Sequence, residues 1–376
     1  MAKRGSWAFY YSIATLVGTI IGAGIFGIPY VVSKAGFLAG LINLIVLGFV
    51  VLMINLYTGE ICLRTKKTHQ LAGFAEIYLG KTGKMIMAFA SVFGIIGALI
   101  AYLIGEGELL SAIFGGSPFF FSMLFFVICS TLIYFDLKAI KKSEFFLVIF
   151  MLALVLTICA VSLFHVDLKN LSNFSLAQVF LPYGVILFAF VGASAIPEME
   201  VIEQNEKKKL KKAILIGTLI PFLVYLLFMI AVVGVTGLQT TEVATIGLGK
   251  ALGNYMVIFG NLFGVFSMST SFLLLGLALK WMLHYDYKIP KVLAWLITIS
   301  IPLALFLIGV KSFIGVIGIT GAVAGGIEGI LIVLIAKKAK EKSEVEPAYT
   351  IGLSWIFAFI LIILFTLGII CQFIKF

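Results

Sequence analysis

The 376-residue chain is 62% hydrophobic and only 12% charged, with a mean hydropathy of +1.19, which excludes a water-soluble globule and leaves a polytopic membrane protein. A formal net charge of +10 does not imply a nucleic acid partner, because the lysines gather in short segments between apolar stretches, where they act as topology signals. Cys62, Cys129, Cys159 and Cys371 lie in or beside different apolar segments with no CxxC or Cys/His spacing, so neither a disulfide framework nor a metal site follows.

A membrane helix needs about 20 mainly apolar residues, and that ruler yields eleven spans. In chain order they run from Trp7 to Ser33, Leu38 to Leu63, Met85 to Phe114, Pro118 to Phe135, Phe145 to Phe164, Gln178 to Met199, Ala213 to Gly237, Ala251 to Leu283, Val292 to Gly309, Ser312 to Ala336 and Thr350 to Ile374. The first begins after Lys3 and Arg4 but lacks a small-residue cleavage site and outruns a signal-peptide core, so it reads as a span. With the amino terminus inside, 22 of the 27 basic residues fall in cytoplasmic segments, Lys138 and Lys280 among them; Lys34, Lys169, Lys250, Lys311 and Lys375 fall outside. The expected topology is amino terminus in and carboxyl terminus out, in the cytoplasmic membrane.

Span 1 contains GTIIGAGIFGIPY at residues 18–30, and span 6 contains FVGASAIPEM at residues 190–199. Each places small residues, Gly22-Ala23-Gly24 or Gly192-Ala193-Ser194, shortly before a proline, Pro29 or Pro197. Helix breakers inside a span expose backbone N–H and C=O groups that lipid cannot satisfy, so such breaks persist where they line a cavity or bind something polar. An offset of five spans makes the second copy enter from the opposite face, giving an inverted repeat of residues 7–166 and 178–337 within one transmembrane domain, with a peripheral helix at 350–374. The expected fold is therefore all-α: eleven transmembrane helices, a 5+5 inverted repeat with helices 1 and 6 broken, and helix 11 outside it. The connections, of which 64–84 and 337–349 are the longest, read as charged loops or short surface helices.

The break in span 1 offers N–H groups around Ala23, Gly24 and Ile25 to a substrate carboxylate, and carbonyls around Gly18, Ile20 and Ile21 to an ammonium group or cation. Span 6 adds carbonyls near Phe190, Val191 and Ala193. Gly18 and Gly22 also form a GxxxG, and Gly321, Gly325 and Gly329 form a longer stripe in span 10 that reads as close helix packing. Tyr102, midway along span 3, is a carboxylate donor or a packed tyrosine; Phe190 is placed to wall the substrate side chain.

The segment GTIIGAGIFGIPYVVSKAGF resembles the opening of the amino acid/auxin permease family and of the related hydroxy and aromatic amino acid permeases, within the amino acid-polyamine-organocation superfamily. TGEICLRT at the end of span 2, FVGASAIPEM in span 6 and STSFLLLGLALK in span 8 add to the resemblance. It implies a secondary active importer of a free amino acid by alternating access in the bilayer, without enzymatic chemistry or cofactor, and coupled to H+ or Na+. A neutral amino acid with a proton is the leading expectation; sodium symport, or a receptor on the same fold, is the alternative. Oligomeric state is not legible.

Intramembrane carboxylates are functional candidates by default. Glu198, directly after Pro197, and Glu328, among the span 10 glycines, best suit a proton relay. Glu106 and Glu108 read as rim or gate residues, and Glu60 and Glu200 as partners of local lysines. A sodium site of the kind the resemblance implies would join first-break carbonyls to the span 8 hydroxyls Ser267, Ser269, Thr270 and Ser271.

Overall fold

The computed structural model describes residues 2–135, 140–204, 206–343 and 345–374, with the side chains of 2–6, 140–144, 254 and 286 also left undescribed. Lys138 and Lys375, used above in the topology, lie outside the described residues. Fifteen α-helices appear among those described. They are α1 (Ala2–Ile20), α2 (Gly24–Ala35), α3 (Phe37–Arg64), α4 (Leu71–Phe114), α5 (Pro118–Tyr134), α6 (Ile140–Leu163), α7 (Leu181–Phe190), α8 (Ile196–Ile202), α9 (Leu210–Thr236), α10 (Ala244–Leu252), α11 (Asn254–Trp281), α12 (Lys291–Leu307), α13 (Phe313–Thr320), α14 (Gly326–Glu341) and α15 (Trp355–Phe373). The sole β feature among the described residues is an isolated bridge between Gly36 and Phe174.

Among the described residues, eight helical stretches are long and apolar enough to cross a membrane, nine when α1 and α2 are taken as one bent span. The shorter apolar helices α5 and α12 occupy the other two positions of the sequence count. Proline and glycine set several boundaries. Pro118 opens α5 at a position where its missing N–H costs nothing, and Gly80, with φ of 78°, separates a surface helix starting at Leu71 from the membrane-length part of α4. The connection from Arg64 to Lys84 thus carries the short helix expected of it.

At one end of the molecule the carboxylate of Glu60, 2% exposed, accepts from Arg64 Nε at 2.9 Å, from Lys340 Nζ at 2.9 and 3.1 Å, and from the Ile351 N–H at 2.9 Å. Tyr57 and Tyr349 add hydrogen bonds between α3 and the same strap, residues 349–352. Glu60 therefore binds basic residues as expected and anchors the segment leading into α15. At the opposite end of the helices the loop after α6 docks on α2 and α9, through Ser175 N–H to the Ala35 carbonyl and Asn170 Nδ2 to the Gly234 carbonyl.

Lys280 departs from expectation. Read as a loop lysine, it is 1% exposed, and its ammonium donates to the carbonyls of Ile133 and Tyr134 at 2.8 and 3.0 Å. The charge satisfies orphan carbonyls at the end of α5, so this lysine also contributes to packing. The glycine stripe of span 10 does pack: a side chain on Gly321 would lie 2.0 Å from the Gly184 carbonyl oxygen, and one on Gly329 would meet the Phe365 ring at 2.4 Å. A π turn at Gly321–Gly325 interrupts that span, a feature not read from the sequence. The expected peripheral helix, α15, packs on α14 and α7 while most of its apolar surface faces outward.

Candidate functional site at two broken helices

The first break falls at the glycine cluster. Ile21 still donates to the Val17 carbonyl at 2.8 Å, the α-helical ladder lapses over the next two residues although Ala23 keeps helical φ/ψ, and α2 starts at Gly24 after a bend of 51°. The first N–H groups of α2 have no carbonyl one turn earlier to bond, and the helix dipole behind them favours an anion. Pro29 removes the N–H that would have reached the Ile25 carbonyl, leaving backbone polarity on both sides of the break.

The second break is longer. After α7, Val191 N–H closes a tight turn on the Phe188 carbonyl at 3.3 Å; residues 193–195 then form a single 3-10 turn, and Pro197 enters the first turn of α8. The two breaks touch. A side chain on Gly24 would lie 2.4 Å from Ala189 Cα, and one on Gly192 would meet Ile20 Cγ1 at 2.6 Å. Tyr225, fully buried on α9, directs its hydroxyl at the Ile20 carbonyl (2.7 Å) and the Ala189 carbonyl (2.8 Å). Its single proton is thus shared between the carboxyl-terminal ends of the two half-helices.

Tyr102 and Ser271 complete the neighbourhood of the first break. The start of a side chain on Gly22 would find Tyr102 Oη at 3.5 Å and Ser271 Oγ at 3.6 Å, ordinary contacts with room for an atom between. Gly22 therefore faces the polar groups of α4 and α11. Gly24 faces α7, so its missing side chain serves the helix contact, although its N–H remains at the start of α2.

The other residues singled out from the sequence disperse. Ile21, Ala23 and Ile25 are buried at the break, and Gly18 is partly exposed one turn earlier on α1. Phe190 is buried with its ring 5.1 Å from that of Tyr225, where it braces the break. Gly192 and Ala193 are buried in the second break, whereas Ser194 and Glu198 are exposed. Of the span 8 hydroxyls only Ser271 faces the first break: Ser269 donates to Glu106 at 2.8 Å, Thr270 to the carbonyls of Phe266 and Ser267, and Ser267 Oγ has no partner among the described residues. Consecutive helical residues differ by about 100°, which is why these adjacent hydroxyls point to different partners.

Glu106 is a correction. Read as a wet rim residue, it is fully buried on α4 and held by Ser269 of α11. Glu328 lies where α14, α3 and the second break meet, lining a cavity of ≈ 20 Å³ with Asn55, Val191, Gly192 and Ala193. Sequence reasoning missed Tyr225 and Asn55. The available signal was polarity in mid-span, since an amide or hydroxyl surrounded by apolar residues is retained where a partner exists.

Two membrane helices broken against each other, with free helix ends and a tyrosine bridging them, define the class of membrane transporters rather than enzymes. The chain belongs to the tryptophan/tyrosine permease family, whose model matches residues 7–374. Of the relationships suggested by the sequence, the aromatic permease one is carried by this match. "Glutamine transporter 2" of Aliivibrio fischeri is 25% identical over 95% of this chain and 99% of its own length. "Tyrosine-specific transport system 1" of Haemophilus influenzae is 26% identical over 97% and 96% of the two chains. The fold is that of MhsT, solved in complex with L-phenylalanine, with a TM-score of 0.70 and 15% identity, covering 96% of this chain and 97% of that one.

Proposed function

We propose that the chain is a secondary active importer of a neutral amino acid in the plasma membrane, coupling uptake to an ion gradient by alternating access. The observation that carries this reading is the apposition of the two breaks. The start of α2 presents N–H groups beside Gly22, Tyr102 and Ser271, while Tyr225 ties the Ile20 and Ala189 carbonyls together. An amino acid carries its carboxylate and its ammonium group on one carbon atom, and this arrangement offers donors and carbonyl acceptors within one helix break.

In this reading the substrate carboxylate accepts from the N–H groups of Ala23, Gly24 and Ile25 and from the Tyr102 hydroxyl. Its ammonium group donates to carbonyls at the ends of α1 and α7, displacing or sharing the Tyr225 proton. The side chain then lies toward the second break. Inverted repeats at 7–166 and 178–337 would rock about this point, with the amino terminus inside and the carboxyl terminus outside. The relatives' names, which include glutamine and tyrosine, support an amino acid substrate without fixing its side chain.

Counterflow in proteoliposomes against a panel of L-amino acids tests the proposal. Saturable exchange of at least one neutral amino acid is expected. Specific binding without counterflow would favour a receptor on the same fold, and neither binding nor counterflow across the panel would refute the reading. Sodium has one geometric argument, Ser271 beside the first break, so the same assay is run in sodium and choline media.

A further inference from the structure

We propose that the cavity between Glu328 and Asn55 is the proton-carrying site, set against the second break rather than the first. The inference rests on the transport reading above and adds the residue pair and the ion. Glu328 is 9% exposed and Asn55 fully buried, and Glu328 Oε1 and Asn55 Oδ1 both lack hydrogen-bond partners among the described residues. Both line the same ≈ 20 Å³ cavity, where a water molecule fits, together with Val191, Gly192 and Ala193 of the break.

Both unpartnered atoms are acceptors, and neither has a donor among the described residues. As placed, Asn55 Nδ2 donates to Thr218 Oγ1 at 3.2 Å, which leaves its carbonyl oxygen unpartnered. One proton on Glu328 resolves the conflict: the carboxyl becomes a donor and reaches Asn55 Oδ1, directly or through one water, joining α14 to α3 across the break. Without that proton, a carboxylate faces a second acceptor in a region that strongly disfavours unpaired charge.

The surroundings supply no counter-charge among the described residues. α3 contributes Asn55 and apolar neighbours, α7 contributes Leu187, the break Val191, and α15 Phe365, none of them titratable. α4 meets the preceding π turn through Gly94 against Ala324. The nearest carboxylate along α3, Glu60, is engaged by Arg64 and Lys340. The π turn at Gly321–Gly325 directly precedes Glu328, and such turns re-aim the residues that follow them, often at functional sites. Glu198 is exposed, Ser269 is bonded to Glu106, Thr270 to its own helix, and Ser271 faces the first break, so none of the other coupling candidates shares this cavity.

The test uses the full chain in proteoliposomes with pyranine in the lumen and the L-amino acid that exchanges fastest in counterflow. Wild type should acidify the lumen as substrate enters and should concentrate substrate under an inward proton gradient in sodium-free medium. Glu328→Gln should keep exchange but lose acidification, and its accumulation should fall to the equilibrated level. Asn55→Leu should move the pH midpoint of uptake, while Thr270→Ala, whose hydroxyl bonds its own helix at Phe266 and Ser267, should not. If Glu328→Gln does not fold, the wild-type acidification and the Asn55/Thr270 contrast decide. Unchanged accumulation and acidification in Glu328→Gln, equal pH profiles for Asn55→Leu and Thr270→Ala, or a sodium requirement without proton entry would overturn the proposal. Absence of exchange in wild type would instead strike the transport reading.

Discussion

The two helix breaks are made from similar residues and are built differently. The first is three residues long and runs straight into α2, a 12-residue helix whose start is pinned to α7 through Gly24 and Ala189. The second passes through an extra 3-10 turn into α8, seven residues long, and borders a small cavity whose lining includes Glu328 and Asn55. A rigid helix start suits a fixed anion such as a carboxylate. A looser break against an unsatisfied acceptor pair suits an event that comes and goes, such as protonation. The comparison assigns substrate holding mainly to the first break and coupling to the second.

The most severe way to break the first half of this comparison is Gly24→Val. A side chain there collides with Ala189 backbone at 2.4 Å, so α2 must leave α7, and overpacking of this kind costs about 1–3 kcal/mol or more. Uptake should be abolished together with a lowered melting temperature. A stable protein with wild-type uptake would show that the contact is dispensable.

Tyr225→Phe comes next, because it removes the hydroxyl shared by the two half-helix ends and leaves buried carbonyls short of a donor. A loss of about 1–3 kcal/mol of stability is expected, with substrate partly restoring it by supplying an ammonium donor. Thermal melts with and without amino acid check this. An equal loss in both conditions would separate Tyr225 from the substrate site.

Tyr102→Phe tests the carboxylate end alone. Removing one donor to a charged group costs about 1.5–3 kcal/mol, so the apparent KM should rise about tenfold or more. The Tyr102 hydroxyl also hydrogen-bonds Ser271, so the ligand-free protein should lose about 0.5–1.5 kcal/mol of stability, less than the loss in binding. The smallest effect is assigned to Thr270→Ala, whose hydroxyl bonds its own helix at Phe266 and Ser267. Its uptake and ion dependence should match wild type; a lost sodium requirement would move the coupling site to α11.

Much of this arrangement was legible in the sequence because backbone breaks leave a compositional mark. The glycines at 22 and 24 and the prolines at 29 and 197 located both interruptions to within a few residues. Side-chain direction left no such mark. Ser269, Thr270 and Ser271 are consecutive in the chain and point to three partners, and Gly22 and Gly24 face different helices. Burial depth was also obscured: Glu106 was read by its distance from a span end, whereas the packing of α4 on α11 decides its environment. Lys280 shows the same limit, since a lysine near a loop is indistinguishable by position from one that caps a neighbouring helix.

The central claim is that an amino acid sits at the first break, between the start of α2 and Tyr102. Equilibrium binding of the L-amino acid that exchanges fastest in counterflow, measured on purified wild type and Gly22→Val, tests it most directly. Gly22 faces Tyr102 and Ser271 at ordinary contact distance, so a valine fills that space without the backbone collision expected at Gly24. The account predicts that binding is lost while the melting temperature of the ligand-free protein is largely retained. A folded Gly22→Val protein that binds with wild-type affinity would contradict it.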